Sequence, residues 1–451
     1  MAADVGARRL MAQEFVLAAS GFGLLFLLLA LRAPVGVAML IAGAIGYLSI
    51  LDVTTLLNFL KTTPYHLFAN YTLSVIPLFI AMGAIAERAG LARDLFVAAN
   101  ALLGHRRGGV AMGVVGACAG FGAVCGSSVA TTATMGRACL PELRRRGYDP
   151  SLATGTIAVG GTLGILIPPS VILVIYAITT EQNIAKLFMA ALIPGLMAVG
   201  LYMLAIWLLV RRKPELGPPA ERVPWPERWA ALRGVIPVML IAVTVVGGIY
   251  GGVFTPTESA AVGVVATLVV GFARRSLSLR QLREAVEATA ETTAMIFVIL
   301  LGAAVFNAFL ALTQAPDLLA IWISEQDLPP YGILIALLVT YIVLGAVMDE
   351  LAMILLTLPI FFPVVMALDF GLDTSEETAI WFGILVLIVV GIGLTTPPIG
   401  LNVFVVGGLS RDVPMGRIFR GVMPFLAADL VKLAICVAFP GLSLLLVRLL
   451  A

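Results

Sequence analysis

Two segments of the sequence could create polar sites inside an apolar environment. "GGTLGILIPPS" at 160–170 and "GIGLTTPPIG" at 391–400 each contain two consecutive prolines within a strongly apolar run. Proline inside a helix removes a backbone donor and breaks the hydrogen-bond ladder, so each pair leaves backbone carbonyls without their helical partners. Hard cations bind oxygen ligands such as carbonyls. The pattern therefore predicts two interrupted helices with candidate cation sites. The alternative is that each proline pair only kinks its helix.

Side-chain oxygens accompany these segments. "GSS" at 126–128 offers two hydroxyl groups, Thr395 and Thr396 precede the second proline pair, and Asp349 lies in "MDE". A proton relay would need several buried carboxylates or histidines, and Asp349 is the only strong candidate in the sequence. This favours Na⁺ as the bound cation and leaves H⁺ open. An alternative for Asp349 and Glu350 is that they cap a turn at the water interface.

The sequence argues against common enzymatic chemistries. Its two histidines, His66 and His105, lie in polar stretches, so an intramembrane Ser/His protease would lack its base. No GxxxxGK[ST] loop is present to hold ATP phosphates. We therefore expect neither an enzyme nor a bound cofactor.

Composition places these segments in a lipid bilayer. Of 451 residues, 61% are apolar and 12% are charged, the mean hydropathy is +1.06, and a net charge of +2 is too small to indicate nucleic-acid binding. Several runs approach the ~20 apolar residues that a membrane-spanning helix needs. The composition predicts an all-α polytopic membrane protein.

The sequence pattern predicts two related halves. Residues 211–233 form a polar, proline-rich stretch, which we interpret as a cytoplasmic linker between a first repeat at 1–210 and a second repeat at 234–451. Matched positions lie 219 residues apart at Gly83 and Gly302, and 229 apart at Pro168 and Pro397. A slowly growing offset is what small loop insertions in a duplicated unit produce.

Each half contains a segment that is a candidate for a re-entrant hairpin. Residues 108–136 carry no charge, and basic loops flank them on both sides. Two full crossings would need about 40 residues. They predict a re-entrant hairpin with its tip near 125–128. The matching segment, 331–368, is read either as two short spans or as a second hairpin, and the repeat favours the hairpin.

The distribution of these elements predicts an inverted-topology repeat. Five crossings plus one hairpin in each half give the halves opposite orientations, an arrangement common in secondary transporters. The predicted scaffold helices lie at 1–71 and 234–292. The hairpins and broken helices lie at 108–180 and 331–410.

Longer motifs make the chain resemble a known family. Residues 126–177, "GGIYGGVFTPTESAAVG" (247–263), "MDELAMILLTLPIFFPV" (348–364) and "GIGLTTPPIGLNVFVV" (391–406) resemble the large membrane subunit of tripartite ATP-independent periplasmic (TRAP) transporters, within the ion transporter superfamily. The resemblance implies a multi-pass protein of the bacterial inner membrane. It also implies Na⁺-driven symport by an elevator movement of hairpins and broken helices against a scaffold.

The resemblance further implies partners and a substrate class. The partners are a small four-helix membrane subunit and a periplasmic substrate-binding protein, and the substrate is a small organic anion such as a dicarboxylate, 2-oxo acid or sugar acid. Two other readings stay open: a stand-alone ion-coupled permease for a dicarboxylate or oxyanion, and a non-transporting channel or scaffold.

Carried over by motif, the resemblance assigns site residues. The first Na⁺ site would use Ser127, Ser128, Gly164, Ile167 and Pro169. The second would use Gly393, Thr396 and Ile399. We expect the substrate cavity to include Gly126, Asp349, Thr395 and Pro397. The chain departs from the family just before the second proline pair, where "VVGIG" replaces a sequence like "NLEIG" and Val389 and Gly391 stand where polar residues are usual.

Overall fold

The structure, a computed structural model, describes residues 2–324 and 328–450 and is helical throughout, with no strand among those residues. The first ten helices are α1 Ala2–Ala30, α2 Val35–Ile50, α3 Val53–Phe68, α4 Val75–Arg88, α5 Leu91–Leu103, α6 Gly109–Cys125, α7 Ser128–Arg145, α8 Pro150–Leu166, α9 Val171–Thr179 and α10 Ile184–Arg212. The others are α11 Trp225–Tyr250, α12 Pro256–Ala273, α13 Leu279–Leu312, α14 Ala315–Ser324, α15 Pro330–Gly345, α16 Glu350–Met366, α17 Ser375–Gly393, α18 Leu401–Leu409, α19 Met415–Ala438 and α20 Pro440–Leu450. Two short 3₁₀ turns lie at Tyr71–Ser74 and Pro214–Leu216.

The lengths and composition of these helices fit a membrane protein. In the described part of the chain, seven helices are long and apolar enough to span a bilayer, or eight if the bent pair α8 and α9 counts as one span. Further apolar helices, α2 and α20 among them, are shorter. The predicted all-α polytopic fold is confirmed.

Both proline pairs interrupt a helix rather than only bending it. Residues 167–170 separate α8 from α9, whose axes differ by 43°, and residues 394–400 separate α17 from α18. Each break contains one cis Pro–Pro peptide bond, Pro168–Pro169 in the first and Pro397–Pro398 in the second. The predicted interruptions are confirmed, and the alternative of a simple kink is wrong.

Each predicted hairpin consists of two helices joined by a few residues. Gly126 and Ser127 join α6 to α7, and residues 346–349 join α15 to α16. The arms α6, α15 and α16 have 17, 16 and 17 residues. At 1.5 Å per residue such arms are about 25 Å long, short of the ~30 Å hydrocarbon core. The lengths therefore favour hairpins, whose re-entrant insertion stays a prediction.

The chain divides into two compact units that interleave along the sequence. The first contains the described residues of Met1–Leu73, Glu291–Leu337 and Glu350–Ala379. Within it α2 packs very closely on α13 at Gly43. A Cβ on Gly43 would lie only 2.6 Å from the backbone nitrogen of Phe306. The absence of a side chain at this position permits that approach.

The second unit contains Ser74–Ala290, Leu338–Asp349 and Ile380–Ala451. Its centre is α8, which is buried from Leu152 to Leu166 and packs against α6, α7 and α19. The predicted linker 211–233 is ordered against this unit, since the carbonyls of Leu216 and Gly217 accept bonds from the N–H groups of Asp149 and Gly108. The assignment of 1–210 and 234–451 as repeats stays a prediction.

Candidate functional site

The first hairpin tip is bonded to the first interrupted helix. The N–H of Val171, the first residue of α9, donates to the carbonyl of Gly126 at 3.3 Å. Gly126 has a φ of +67°, which favours glycine, and a Cβ there would lie 2.9 Å from the Pro169 carbonyl. On Gly164, a Cβ would lie 2.6 Å from the carbonyl oxygen of Ser127. The structure thus brings Gly126, Ser127, Gly164 and Pro169 together, and their part in an ion or substrate site stays a prediction.

The second hairpin tip meets the second break in the same way. The N–H of Ile399 donates to the carbonyl of Ala346 at 3.2 Å. A Cβ on Gly393 would lie 2.7 Å from the Cα of Gly345, just as one on Gly122 would lie 2.8 Å from the Cα of Gly164. In both halves, therefore, a hairpin arm approaches the interrupted helix backbone to backbone.

The two breaks differ in how their carbonyls are satisfied. Because Pro168 and Pro169 have no N–H, the carbonyls of Gly164 and Ile165 lack the donor that lies four residues on in a regular helix. In the second break the Gly393 carbonyl accepts from the Thr396 N–H at 3.1 Å, and the Leu394 carbonyl accepts from the Asn402 N–H at 3.1 Å. A carbonyl oxygen has two lone pairs, so a single hydrogen bond leaves it able to bind a cation.

The predicted hydroxyl groups are oriented by hydrogen bonds. Ser127 caps α7 by accepting from the Ala130 N–H at 3.4 Å. Thr395 and Thr396 both donate to the Ile392 carbonyl, at 3.0 and 2.7 Å. A hydroxyl that donates in this way keeps its oxygen lone pairs for a cation. Ser128 and Thr395 are fully buried, whereas Ser127 and Thr396 are half-buried.

The other predicted residues lie in or beside the same breaks. Ile167 is buried at the end of α8, and Ile399 is half-buried. Pro397 is exposed, and Asp349 is half-buried in the second tip. Val389 is fully buried in α17, and a Cβ on Gly391 would lie 3.5 Å from the Cβ of Thr162. A larger side chain at position 391 would therefore face α8.

Two further polar residues, which the sequence patterns did not single out, lie at these breaks. Asn402, fully buried on α18, donates its side-chain amide to the Ser128 hydroxyl at 2.7 Å and to the Ala158 carbonyl at 3.0 Å. Thr131, fully buried on α7, has a hydroxyl without a hydrogen-bond partner, only 2.5 Å from where a Cβ on Gly164 would lie. A lone asparagine in the apolar run "LNVFVV" was the available signal for the first.

A buried charged pair corrects one prediction. Asp429 and Lys432 on α19 are 1% and 3% exposed, and their charged groups are 2.6 Å apart. Asp349 is thus not the only strong candidate among the carboxylates, because Asp429 is buried more deeply. The sequence reading missed this pair because both residues stand inside an otherwise apolar run and neutralise each other.

The donor set at the breaks suits a hard monovalent cation. Within the described ranges no group of three or more His, Cys, Asp or Glu residues could hold a metal ion. The oxygens that meet beside Gly164 at the first break are instead the Ser127 carbonyl and the Thr131 hydroxyl. Neutral carbonyl and hydroxyl ligands around a buried, unpartnered hydroxyl fit an ion of low charge.

Comparison with known proteins identifies the family of the chain. Residues 22–442 match the family model of the tripartite ATP-independent periplasmic transporter, DctM component. The chain is 38% identical to the C4-dicarboxylate TRAP transporter large permease protein DctM of Pseudomonas aeruginosa over 376 residues, 83% of this chain and 86% of the relative. It is 32% identical to the sialic acid TRAP transporter large permease protein SiaM of Vibrio cholerae, over 94% of this chain and 97% of the relative.

A solved structure shares the fold. The crystal structure of the Alcanivorax borkumensis YdaH transporter, described as having an unusual topology, superposes with a TM-score of 0.59 at 17% identity, covering 87% of this chain and 90% of that one. The breadth of the family match, together with relatives above 30% identity along most of their length, leads to one conclusion. This multi-pass membrane protein belongs to the DctM family of TRAP transporter large permease subunits.

Proposed function

We propose that this permease subunit imports a small organic anion across the bacterial inner membrane, driven by Na⁺ symport. It would act with a small four-helix membrane subunit and a periplasmic binding protein that delivers the substrate. The observation that carries the proposal is the repeated contact between a hairpin tip and an interrupted helix, with backbone and hydroxyl oxygens at both breaks.

The first break supports a cation site most strongly. The Thr131 hydroxyl is buried with no hydrogen-bond partner, next to the Ser127 carbonyl and Gly164. A buried hydroxyl without a partner costs free energy, and a bound cation would remove that cost. Ser127, Gly164, Ile167 and Pro169 would complete this site, with Ser128 held by Asn402. Gly393, Thr396 and Ile399 would form the second.

Helix ends support an anionic substrate. Ser127 caps the start of α7, Ser170 caps the start of α9, and α18 begins immediately after the second break. Helix N-termini carry partial positive charge and favour bound anions. The C4-dicarboxylate and sialic acid in the names of the two relatives are carboxylate anions, and ectoine, for which another relative is named, is a zwitterion that carries a carboxylate. We therefore propose a carboxylate-bearing substrate without naming it.

Part of the division of the chain supports an elevator movement. The whole first hairpin, both proline breaks and the second tip belong to one compact unit. That unit also includes the predicted scaffold helices at 234–290, and the arm α16 of the second hairpin belongs to the other unit. We propose that the hairpins and the interrupted helices carry the substrate and Na⁺ across the membrane together.

Reconstitution tests the proposed function. A candidate binding protein is first sought among the products of the neighbouring genes and assayed by thermal shift against C4-dicarboxylates, 2-oxo acids and sugar acids. The stabilising compound, radiolabelled, is then offered to proteoliposomes that contain this chain and the small subunit. We expect uptake that needs both an inward Na⁺ gradient and the binding protein. Uptake by this chain alone would favour the stand-alone permease, and uptake driven only by a proton gradient would overturn Na⁺ coupling.

A further inference from the structure

A chain of buried polar groups runs from α19 to the first interrupted helix. Lys432 and Tyr202 both donate to Oδ1 of Asp429, each at 2.6 Å. The Tyr202 hydroxyl on α10 also lies 3.2 Å from the hydroxyl of Thr162 on α8. All four side chains are at most 4% exposed. Ionisable groups at this depth in a membrane protein are costly and usually serve function.

The hydrogens in this chain can be assigned from the acceptors. A carboxylate only accepts, so Tyr202 must donate its single hydroxyl hydrogen to Asp429. The Tyr202 oxygen can then only accept, which makes Thr162 the donor in the 3.2 Å contact. The Thr162 hydroxyl also lies 2.7 Å from the Val159 carbonyl, so its hydrogen is shared between two acceptors. The Asp429 and Lys432 pair therefore orients Tyr202, whose oxygen is the second and more distant acceptor for Thr162, after the Val159 carbonyl.

Thr162 lies at the point where the two interrupted helices meet. It stands two residues before Gly164 in α8, and a Cβ on Gly391 in α17 would be 3.5 Å from the Thr162 Cβ. Gly391 in turn stands two residues before Gly393. A shift of Thr162 would therefore move the carbonyls on which both proposed cation sites depend.

The charged pair itself is not suited to hold the ion. The Lys432 ammonium lies 2.6 Å from Asp429 and 5.5 Å from the centre of the Tyr202 ring, so a positive charge already occupies this place. A second cation there would be repelled. The pair acts on the ion sites through geometry rather than as a ligand.

We propose that Tyr202 is a positioning residue for ion coupling, anchored by Asp429 and Lys432 and acting through Thr162 on both breaks. This inference rests on the proposed function and adds residues outside the predicted ion sites. Tyr202 is not among the residues assigned to the ion sites or the substrate cavity. Its replacement should therefore change the Na⁺ affinity through geometry and not by removing a ligand.

The test compares two tyrosines in the complete three-component system. Tyr202→Phe removes the hydroxyl and keeps the ring. We expect it to raise the Na⁺ concentration for half-maximal uptake about fivefold, the size of effect that one buried hydrogen bond produces, while the maximal rate at saturating Na⁺ is kept. Tyr250→Phe is the matched control, because the hydroxyl of half-buried Tyr250 donates at 2.8 Å to the Phe188 carbonyl, and neither residue belongs to a break or to a proposed site.

A double-mutant cycle adds a second readout. Thr162→Val should also raise the half-maximal concentration, and the double variant should show less than the sum of the two effects, because both changes cut the contact between Tyr202 and Thr162. Full additivity, or equal effects of Tyr202→Phe and Tyr250→Phe, would overturn the inference.

A third readout does not depend on Na⁺ coupling. Amide hydrogen exchange at 163–171 should increase in Tyr202→Phe and not in Tyr250→Phe. If wild-type uptake is independent of Na⁺, the proposed function fails, yet this measurement still decides the positioning role. Unchanged hydrogen exchange in Tyr202→Phe would overturn the positioning role of Tyr202.

Discussion

The side-chain amide of Asn402 donates to the hydroxyl of Ser128 at 2.7 Å, although 274 residues separate them in the chain. Asn402 follows the second break and Ser128 begins the second arm of the first hairpin. A second bond from the same amide, at 3.0 Å, reaches the Ala158 carbonyl of α8. One side chain thus ties together a broken helix of one half and the hairpin and broken helix of the other.

Replacing this residue should loosen the whole arrangement. Asn402→Ala removes both bonds from a fully buried position, so we expect a loss of about 1–3 kcal/mol in stability and a clear fall in uptake. The thermal unfolding midpoint in detergent and the initial uptake rate measure the two effects. Asn58→Ala, at an exposed position on α3, is the control. Equal midpoints for the two variants would contradict the role of Asn402.

Two glycine substitutions test the close approach at the breaks. In Gly164→Ala the new Cβ would lie 2.5 Å from the Thr131 hydroxyl and 2.6 Å from the Ser127 carbonyl. The hairpin must then move off α8, so we expect uptake to be lost while the protein still inserts into the membrane. In Gly393→Ala the contact is with the backbone of Gly345 at 2.7 Å, and the same loss is expected.

Gly408→Ala provides the matched control for both. A Cβ there meets nothing within 4 Å, and the residue lies near the end of α18 in the same compact unit. Alanine is the better helix former by roughly 1 kcal/mol, so this variant should be as stable as the wild type or slightly more stable, with normal uptake. Normal uptake by Gly164→Ala would refute the close packing.

Thr131→Val distinguishes two roles of the hydroxyl, because one predicts a raised Na⁺ requirement for uptake and the other predicts a gain in stability. If the hydroxyl binds Na⁺, the isosteric valine should raise the Na⁺ concentration for half-maximal uptake at least about tenfold, since charged-group contacts are worth about 1.5–3 kcal/mol. If it binds nothing, removing an unpartnered buried hydroxyl should stabilise the protein and leave uptake unchanged. Thr267→Val, whose hydroxyl donates to the Gly263 carbonyl of α12, is the control.

Local chemistry made much of this fold predictable. Proline lacks an N–H whatever surrounds it, so the interruptions at Pro168–Pro169 and Pro397–Pro398 could be inferred from the sequence alone. The hairpin tip at Gly126 followed from a short uncharged segment that is limited by bilayer thickness. Each of these constraints acts within a few residues or on total length, and the structure confirms the interruptions.

Pairing across the chain was not predictable in the same way. Nothing near Asn402 indicates that its partner is Ser128, and nothing near Asp429 indicates Tyr202. These contacts depend on how α8 packs against α10, α18 and α19, which a single sequence does not encode by spacing. Thr131 was missed for a related reason, since a hydroxyl in a threonine-rich stretch becomes unusual only when it is buried without a partner.

The buried charges of α19 lead to the last prediction. Asp429→Asn leaves the Lys432 ammonium buried without its counter-charge, and Lys432→Met leaves the carboxylate alone, so each single variant should lose about 3–5 kcal/mol of stability. The double variant Asp429→Asn/Lys432→Met removes both charges, and its stability should recover to near the wild-type value because paired buried charges often contribute little net stability.

Uptake by the double variant should nevertheless keep a raised Na⁺ requirement, since an uncharged asparagine holds the Tyr202 hydroxyl less firmly than a carboxylate does. Thermal unfolding and Na⁺ titration of the three variants measure both quantities. A normal Na⁺ titration of the double variant would show that the pair has no role in ion coupling.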